Sequence, residues 1–506
     1  MAVEWAAGKL ANLIATNKRN SEKRLKKPVK RIEKNNWNRD MTTISNVTEK
    51  QKVLVETWCC QMNVADSENM LEMLEGENYV LTNDAEDADL VLLNTCHIRE
   101  KATHKVLSRL GRLRETAKNH NPNMKIAVAG CVAQAEGKKL MDQAKNIDIL
   151  VGPGKISELP ELISKNKTTG KRQLSVGFRD PETKKINKTY SQSTTAKPAI
   201  AGKTEISRYV NIAQGCNNFC TFCVVPFTRG REISRTIREI VSETSNLVAS
   251  GAKEITLLGQ NVNSYGLDLL QGSTEEGSLR EPFVDLLYQV ADVPGLERLR
   301  FTTSNPHDFS PSIATAFSDL PKLGKYIHLP VQSGNDVVLE RMKRKVTVAE
   351  YWERIDWLRK AVPEMAFSTD LIVGFPGETD EQFADTLSLV EKLRYSFIYA
   401  FKYSPRSGTA AARFTDQVPE EAKTERLNAL NLLQDRITIE QNQNEIGNHR
   451  EVLFHYESKK EPGVFYGRTE QFRLLRAQSE SDLVGKTMNV RVTEANKTAL
   501  VGDLIP

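Results

Sequence analysis

The chain has 506 residues, 39% hydrophobic and 27% charged, with a formal net charge of +5. That length exceeds a single hydrophobic core and predicts roughly two to four domains. No apolar run is long enough to span a bilayer, and lysines rather than a cleavage site follow Met1–Ala15, which argues against membrane and secreted classes. Seven cysteines, an odd number set in motif spacings, point to metal binding in a reducing compartment rather than to disulfides. The expected location is the cytoplasm.

Residues 1–50 read as an extension. Lys18 to Lys34 carries nine basic residues against Glu22 and Glu33, a solvated arm or one attracted to nucleic-acid phosphate. From 51 to 160 strand and helix patterns alternate. Lys52–Glu56, Asp89–Leu93 and Lys125–Ala129 read as strands, and Ala65–Leu74 and Ala102–Ala117 as helices. Such alternation predicts an open, mainly parallel α/β sheet. Cys60, Cys96 and Cys131 each follow one of these strands. Ligands of open α/β sheets bind at the carboxyl ends of strands, so three cysteines 36 and 35 residues apart converge there. They are a candidate three-thiolate set for an iron–sulfur cluster.

Residues 161–204, rich in Lys, Thr, Ser, Asn and Gln, read as a linker with one extended stretch at Gln173–Gly177. Beyond it, from 205 to 440, six strand-like runs recur with helices between: Tyr209–Ala213, Glu254–Leu258, Arg298–Thr302, Tyr326–Leu329, Ser368–Val373 and Phe397–Lys402. They predict a partial (β/α)6 barrel with its chemistry at the strand C-termini. Just past the first run stand Cys216, Cys220 and Cys223. Three thiolates within eight residues do not fill a tetrahedral zinc site, and no histidine nearby completes one. They suit three irons of a [4Fe-4S] cluster and leave the fourth open. Leu427–Gln443 reads as a closing helix. Residues 441–506 read as a small β-barrel with strands at Glu451–Tyr456, Val464–Tyr466, Met488–Thr493 and Ala499–Val501.

The C-x3-C-x2-C spacing resembles the signature of the radical S-adenosylmethionine (SAM) superfamily, in which the open iron chelates SAM and its cleavage yields a 5′-deoxyadenosyl radical. Further runs narrow the resemblance. They are Cys60-Gln61-Met62-Asn63 with Asp66-Ser67-Glu68, Asn94-Thr95-Cys96-His97-Ile98-Arg99-Glu100-Lys101, Gly130-Cys131, and Val225-Pro226-Phe227-Thr228-Arg229-Gly230-Arg231-Glu232. Downstream stand Leu258-Gly259-Gln260-Asn261-Val262-Asn263-Ser264-Tyr265-Gly266, His328-Leu329-Pro330-Val331-Gln332-Ser333-Gly334 and Gly374-Phe375-Pro376-Gly377-Glu378-Thr379. In order and spacing they resemble the methylthiotransferase branch of radical SAM enzymes, nearest its isopentenyladenosine-modifying members, over about residues 51–506.

The resemblance implies an N-terminal domain with an auxiliary cluster, a radical SAM barrel and a C-terminal TRAM domain that grips tRNA. It implies a methylthio group placed on C2 of a modified adenosine beside the anticodon, with two SAM molecules serving as methyl donor and radical source. The implied cofactors are two [4Fe-4S] clusters and SAM. Implied partners are tRNA bearing isopentenyladenosine, an electron donor such as flavodoxin or ferredoxin, and a sulfur source. Cys60, Cys96 and Cys131 would hold the auxiliary cluster, and Cys216, Cys220 and Cys223 the SAM-cleaving one. The family usually has Gly where Cys59 stands, and Cys59 is read as inert. Gly259, Gln260, Ser304, Gln332, Gly374, Gly377 and Glu378, past successive barrel strands, are candidate SAM contacts, or else turn and rim residues. Arg229, Arg231, Arg235 and Arg238 are a solvated face or phosphate anchors, and the resemblance points Arg229 and Arg231 toward RNA. Arg468 is a further RNA candidate, with Phe465 and Tyr466 as stacking or core residues. Phe219 and Phe222 are read as shielding the cluster from water. Alternatives are the same chemistry on threonylcarbamoyladenosine or a ribosomal-protein aspartate, or a non-catalytic iron–sulfur RNA-binding protein.

Overall fold

The structure, a computed structural model, describes residues 50–58, 60–97, 102–178, 206–270 and 281–505. The basic arm, Cys59, residues 98–101 and most of the expected linker lie outside the described residues.

Six parallel strands form the first sheet: β1 (Gln51–Thr57), β2 (Tyr79–Leu81), β3 (Leu90–Thr95), β4 (Lys125–Gly130), β5 (Ile149–Val151) and β6 (Gln173–Ser175), in the order β2-β1-β3-β4-β5-β6. β3 (Leu-Val-Leu-Leu-Asn-Thr) is buried at every position, the continuous apolar run of a parallel strand covered on both faces. Helices α1 (Gln61–Gly76), α2 (Ala102–Asn119), α3 (Cys131–Gln143) and α4 (Leu159–Thr169) supply the cover. Leu71, Leu74 and Leu162 pack with Leu90 and Leu92, whereas Val106, Leu110 and Leu113 pack with Val91 and Leu93. The strand order reverses between β1 and β3, so the crevice at their carboxyl ends is the expected ligand position. The sheet does not stop at 160. α4 and the extended stretch at Gln173–Ser175, assigned to the linker from sequence, complete this domain, because β6 pairs with β5 from Ile149↔Gln173 to Val151↔Ser175.

The second sheet system contains the six expected barrel strands. β7 (Ser207–Asn211), β10 (Glu254–Leu258) and β11 (Arg298–Thr302) are parallel, as are β12 (Tyr326–His328), β13 (Ala366–Val373) and β14 (Phe397–Lys402). A Leu299–Leu323 bridge joins the two sets. Between β7 and β10, the short strands β8 (Ala213–Gln214) and β9 (Ile233–Ser234) pair and pinch the base of the loop that carries Cys216 to Arg231. Outer helices include α5 (Val225–Thr228), α6 (Ile237–Ala249), α7 (Leu267–Leu270), α8 (Pro282–Ala291), α9 (Pro311–Asp319), α10 (Asp336–Met342), α11 (Val348–Ala361), α12 (Asp380–Leu393) and α13 (Glu420–Gln443). Capping boxes at Thr236, Thr347 and Thr379 start α6, α11 and α12.

A closed five-stranded barrel ends the chain, in the order β15-β16-β17-β19-β18: β15 (His449–Glu457), β16 (Val464–Thr469), β17 (Leu474–Gln478), β18 (Thr487–Ala495) and β19 (Leu500–Leu504). β17 has no counterpart in the sequence reading. Its turn from β16 docks on the starts of the radical-barrel strands. There Arg300 donates to Glu254 at 2.8 Å, to the Thr469 carbonyl at 2.8 Å and to the Glu470 carbonyl at 3.0 Å. Phe472 stacks on Tyr326 at 4.9 Å.

Candidate active site at the strand ends

Cys60 stands immediately before α1 as its extended N-cap, and Cys131 is the first residue of α3. Two of the three N-terminal thiols therefore sit at helix N-termini, where the backbone dipole favours a thiolate. Gly130 makes the second placement possible. Its φ is +92°, and a Cβ there would lie 2.4 Å from the Thr95 carbonyl oxygen. Cys96 follows β3 and hydrogen-bonds with Cys60, which, with the Arg229 guanidinium, holds the Cys60 thiol down at about 6 against the opposing effect of burial. Burial pushes Cys131 up, opposed by Arg229, which donates to it. The three thiols thus share one neighbourhood, as the strand-end argument expects.

The same neighbourhood corrects the reading of Arg229. It is a buried residue, not an exposed phosphate anchor: it is 7% exposed and its NH2 donates to Asp66 at 2.8 Å and to Asn63 at 2.9 Å. Asn63 and Asp66 lie three apart on one face of α1, so a single guanidinium reaches both. A second buried pair, Arg208–Glu68 at 3.7 Å, joins α1 to β7. Between them Met62 and Ala65 pack on Leu258 at the end of β10. α1 therefore seats the first domain on the carboxyl ends of the barrel strands. A small cavity of about 20 Å³ remains at this seam, lined by Met62, Asp66, Asn211, Gln214, Arg229 and Arg235 among others.

Cys216, Cys220 and Cys223 are held in the loop after β8. Gly215 has φ +89°, and a Cβ would fall 2.0 Å from the Arg231 carbonyl oxygen, so only glycine brings the two limbs of the loop this close. Three N–H donors point at the sulfurs: Asn218 to Cys216 at 3.7 Å, Arg344 to Cys220 at 3.5 Å, and the Val225 amide to Cys223 at 3.5 Å. Burial raises Cys216 and pushes Cys223 up to about 12. These thiols are free of disulfides, and N–H donors of this kind suit sulfurs that carry negative charge. Among the described residues no group of His, Cys, Asp or Glu could hold a single metal ion. Three thiols with N–H donors around them are the donor set of an iron–sulfur cluster rather than of a single ion. Arg344, missed in the sequence, lies past α10 with no motif to mark it.

The candidate SAM contacts separate into two groups. Gln260 and Ser304 present buried polar atoms without a protein partner, Nε2 and Oγ, while Gln260 Oε1 accepts the Gly215 amide beside the cysteine loop. They fit a polar ligand. Gly259 turns the chain after β10, where a Cβ would press on Val262 at 3.1 Å. Gln332 is buried with φ +83°, fixed by backbone bonds with Asp370 and Ile372, both 3.0 Å. Glu378 accepts the Gly374 amide at 2.6 Å and pairs with Arg426 of α13 at 2.8 Å through Oε2, while its Oε1 is buried without a partner. Gly374 and Gly377 make room for Lys423 and for Asp416 with Arg341. This turn holds the closing helix through Glu378 Oε2 and the space left at Gly374 and Gly377. Glu232, also missed, is buried and its carboxyl is raised to about 7 by burial, with Asp268 and Asp308 adding to the effect; Ser264 donates to it at 2.6 Å.

Of the remaining RNA candidates, Arg231 is exposed and stacks over Phe219 at 4.3 Å. Arg235 is buried against Glu243 at 2.6 Å. Arg468 turns inward: it donates to the Phe472 carbonyl at 2.9 Å and lies over that ring at 4.4 Å, at the docking face between the two barrels. It is therefore an interface residue and not an exposed RNA contact. Phe465 is core, and Tyr466 stacks on Tyr456 at 5.3 Å. Phe222 packs with Met342, Phe375 and Tyr403, whereas Phe219 is turned outward, contrary to the shielding role expected for both.

Comparison with known proteins agrees with this architecture. Residues 52–152 match the uncharacterized protein family UPF0004, and residues 210–390 match the radical SAM superfamily. The chain is 42% identical over 459 residues to the tRNA-2-methylthio-N(6)-dimethylallyladenosine synthase of Geobacter sulfurreducens, covering 91% of this chain and 98% of that one. It is 43% identical to the enzyme of that name from Desulfotalea psychrophila, covering 90% and 99%. Among solved structures it shares the fold of the radical S-adenosylmethionine methyltransferase TsrM from Kitasatospora setae, with TM-score 0.50 and 13% identity over 83% of this chain and 80% of that one. The chain belongs to the radical SAM methylthiotransferases, in the family of tRNA-2-methylthio-N(6)-dimethylallyladenosine synthases.

Proposed function

We propose that this chain is a tRNA-modifying enzyme that replaces the C2 hydrogen of N6-isopentenyladenosine, next to the anticodon, with a methylthio group. The observation that carries this reading is identity of 42% to a synthase of that name over 91% of the chain, a span that includes both thiol sets. When bound, two [4Fe-4S] clusters and SAM supply the radical and the methylated sulfur. Cys216, Cys220 and Cys223 would hold the SAM-cleaving cluster, and Cys60, Cys96 and Cys131 the auxiliary one, each set leaving one iron without a protein ligand. Arg344 and Arg229 place a buried positive charge beside each set of sulfurs. Gln260 and Ser304 offer their unpartnered atoms to SAM. A low-potential electron donor of the flavodoxin or ferredoxin kind and a sulfur source complete the reaction, in the reducing cytoplasm.

The test is nucleoside mass analysis. Anaerobically reconstituted protein, SAM, reductant and tRNA carrying isopentenyladenosine should give a methylthio nucleoside on digestion. Cleavage of SAM with an unmodified nucleoside would reject the substrate, and absence of 5′-deoxyadenosine would reject the radical chemistry.

A further inference from the structure

Phe219 lies between Cys216 and Cys220, yet its side chain is 37% exposed and its φ is +48°. A bulky residue in the left-handed region is uncommon and is retained where the surroundings enforce it. Phe227, on α5 of the same loop, is 50% exposed and meets Phe219 edge to face at 6.3 Å and 83°. Arg231 lays its guanidinium over the Phe219 ring at 4.3 Å. Beside it Gly230, with φ +84°, admits a third exposed ring, Phe178, which a Cβ would approach to 3.0 Å. Phe222, by contrast, packs inward among Met342, Phe375 and Tyr403. The outward rings therefore serve something in solvent, and the cation among them suits a polyanion.

We infer that Phe219, Phe227 and Arg231 form a stacking platform for the nucleobase that flanks the reacting adenosine. The inference rests on the proposed function and adds to it the way the strand is gripped. Chemistry on a base requires that the base leave its stack, which exposes the face of its neighbour one nucleotide away. That neighbour must lie close to the loop of Cys216–Cys223, because the reacting base does. Single-stranded RNA is held by such aromatic faces and by guanidinium planes, while the charge of Arg231 also favours the adjoining phosphate.

The experiment uses the reconstituted full chain and an anticodon stem-loop RNA with isopentenyladenosine and 2-aminopurine at the flanking position. Stacking on the platform should quench 2-aminopurine fluorescence on binding. Phe227→Ala should weaken RNA affinity roughly tenfold, the size of one lost base–aromatic stack, and relieve the quench. Phe227→Tyr, which keeps a ring, should restore both, and a wild-type thermal midpoint in Phe227→Ala separates lost stacking from lost folding. Arg231→Gln should lower the slope of log affinity against log salt by about one. Wild-type affinity and quench in Phe227→Ala would overturn the platform. RNA binding by the wild type without any quench would overturn it and leave the proposed function standing, whereas failure of the wild type to bind RNA would defeat both.

Discussion

Arg229 shows how a residue's role is decided by what docks on it. Its spacing with Arg231, Arg235 and Arg238 along the loop matches a solvated or phosphate-facing set, and nothing local in the sequence separates the four. Only α1, brought across from the first domain, buries it against Asp66 and Asn63. The i,i+3 placement of Asn63 and Asp66 was present in the sequence as a polar pair on a helix face, a signal for an incoming cation. Removing one partner of a buried pair leaves an uncompensated charge, at a cost of about 3–5 kcal/mol. Arg229→Met should therefore lower the denaturant midpoint strongly. The double variant Arg229→Met with Asp66→Leu should recover part of the loss, and strict additivity would contradict the pairing.

Glu254 and Arg300 form a comparable pair, 4% and 3% exposed, under the small barrel. Burial would raise the Glu254 carboxyl, but Arg300 and His455 outweigh it and hold the carboxyl well below its usual range. A carboxylate with a depressed folded-state pKa contributes stability above its unfolded value and loses it as pH falls through the folded one. Thermal midpoints should thus fall in acid. Glu254→Gln should be less stable at neutral pH and should show a flatter decline, as seen by calorimetry from neutral pH downward. A parallel decline in both proteins would contradict this role.

At the scale of elements, both thiol sets depend on a glycine. Gly130 and Gly215 each precede a cysteine, each has positive φ, and each lies against backbone that a Cβ would strike. The pattern explains why strand ends were legible in the sequence: a parallel strand ends where the chain must turn, and the turn needs a residue without a side chain. Gly215→Ala should displace the loop and reduce the iron held by Cys216, Cys220 and Cys223, measured per chain after anaerobic reconstitution. Full iron retention would show that the loop tolerates the methyl group. Less legible were the place of β6 in the sheet, its extended stretch having been read as part of the linker, and β17, whose Leu-Leu-Arg-Ala-Gln run is short and opens directly after the β16 turn. Neither has enough length for periodicity to assign it to a sheet. The turn at Gly374 to Glu378 also pairs with α13 through Arg426, a partner far along the chain that nothing local in the sequence marks.

For the whole molecule, the order of domains and the two cysteine sets were readable because each set stands at the carboxyl ends of strands. The seam was not. Met62, Asp66 and Glu68 of one domain meet Leu258, Arg229 and Arg208 of the next through contacts that span more than a hundred residues of sequence. The seam is lined by Met62 of the helix that Cys60 caps and by Gln214, two residues before Cys216, and under the proposed function the two thiol sets do separate work. The most direct measurement is the pair of products made by the Cys96→Ser enzyme, reconstituted anaerobically and supplied with SAM, reductant and tRNA bearing isopentenyladenosine. 5′-Deoxyadenosine should still form while the methylthio nucleoside is lost. Methylthio product at the wild-type level in that variant, or loss of 5′-deoxyadenosine with the Cys216 set intact and its iron retained, would contradict it.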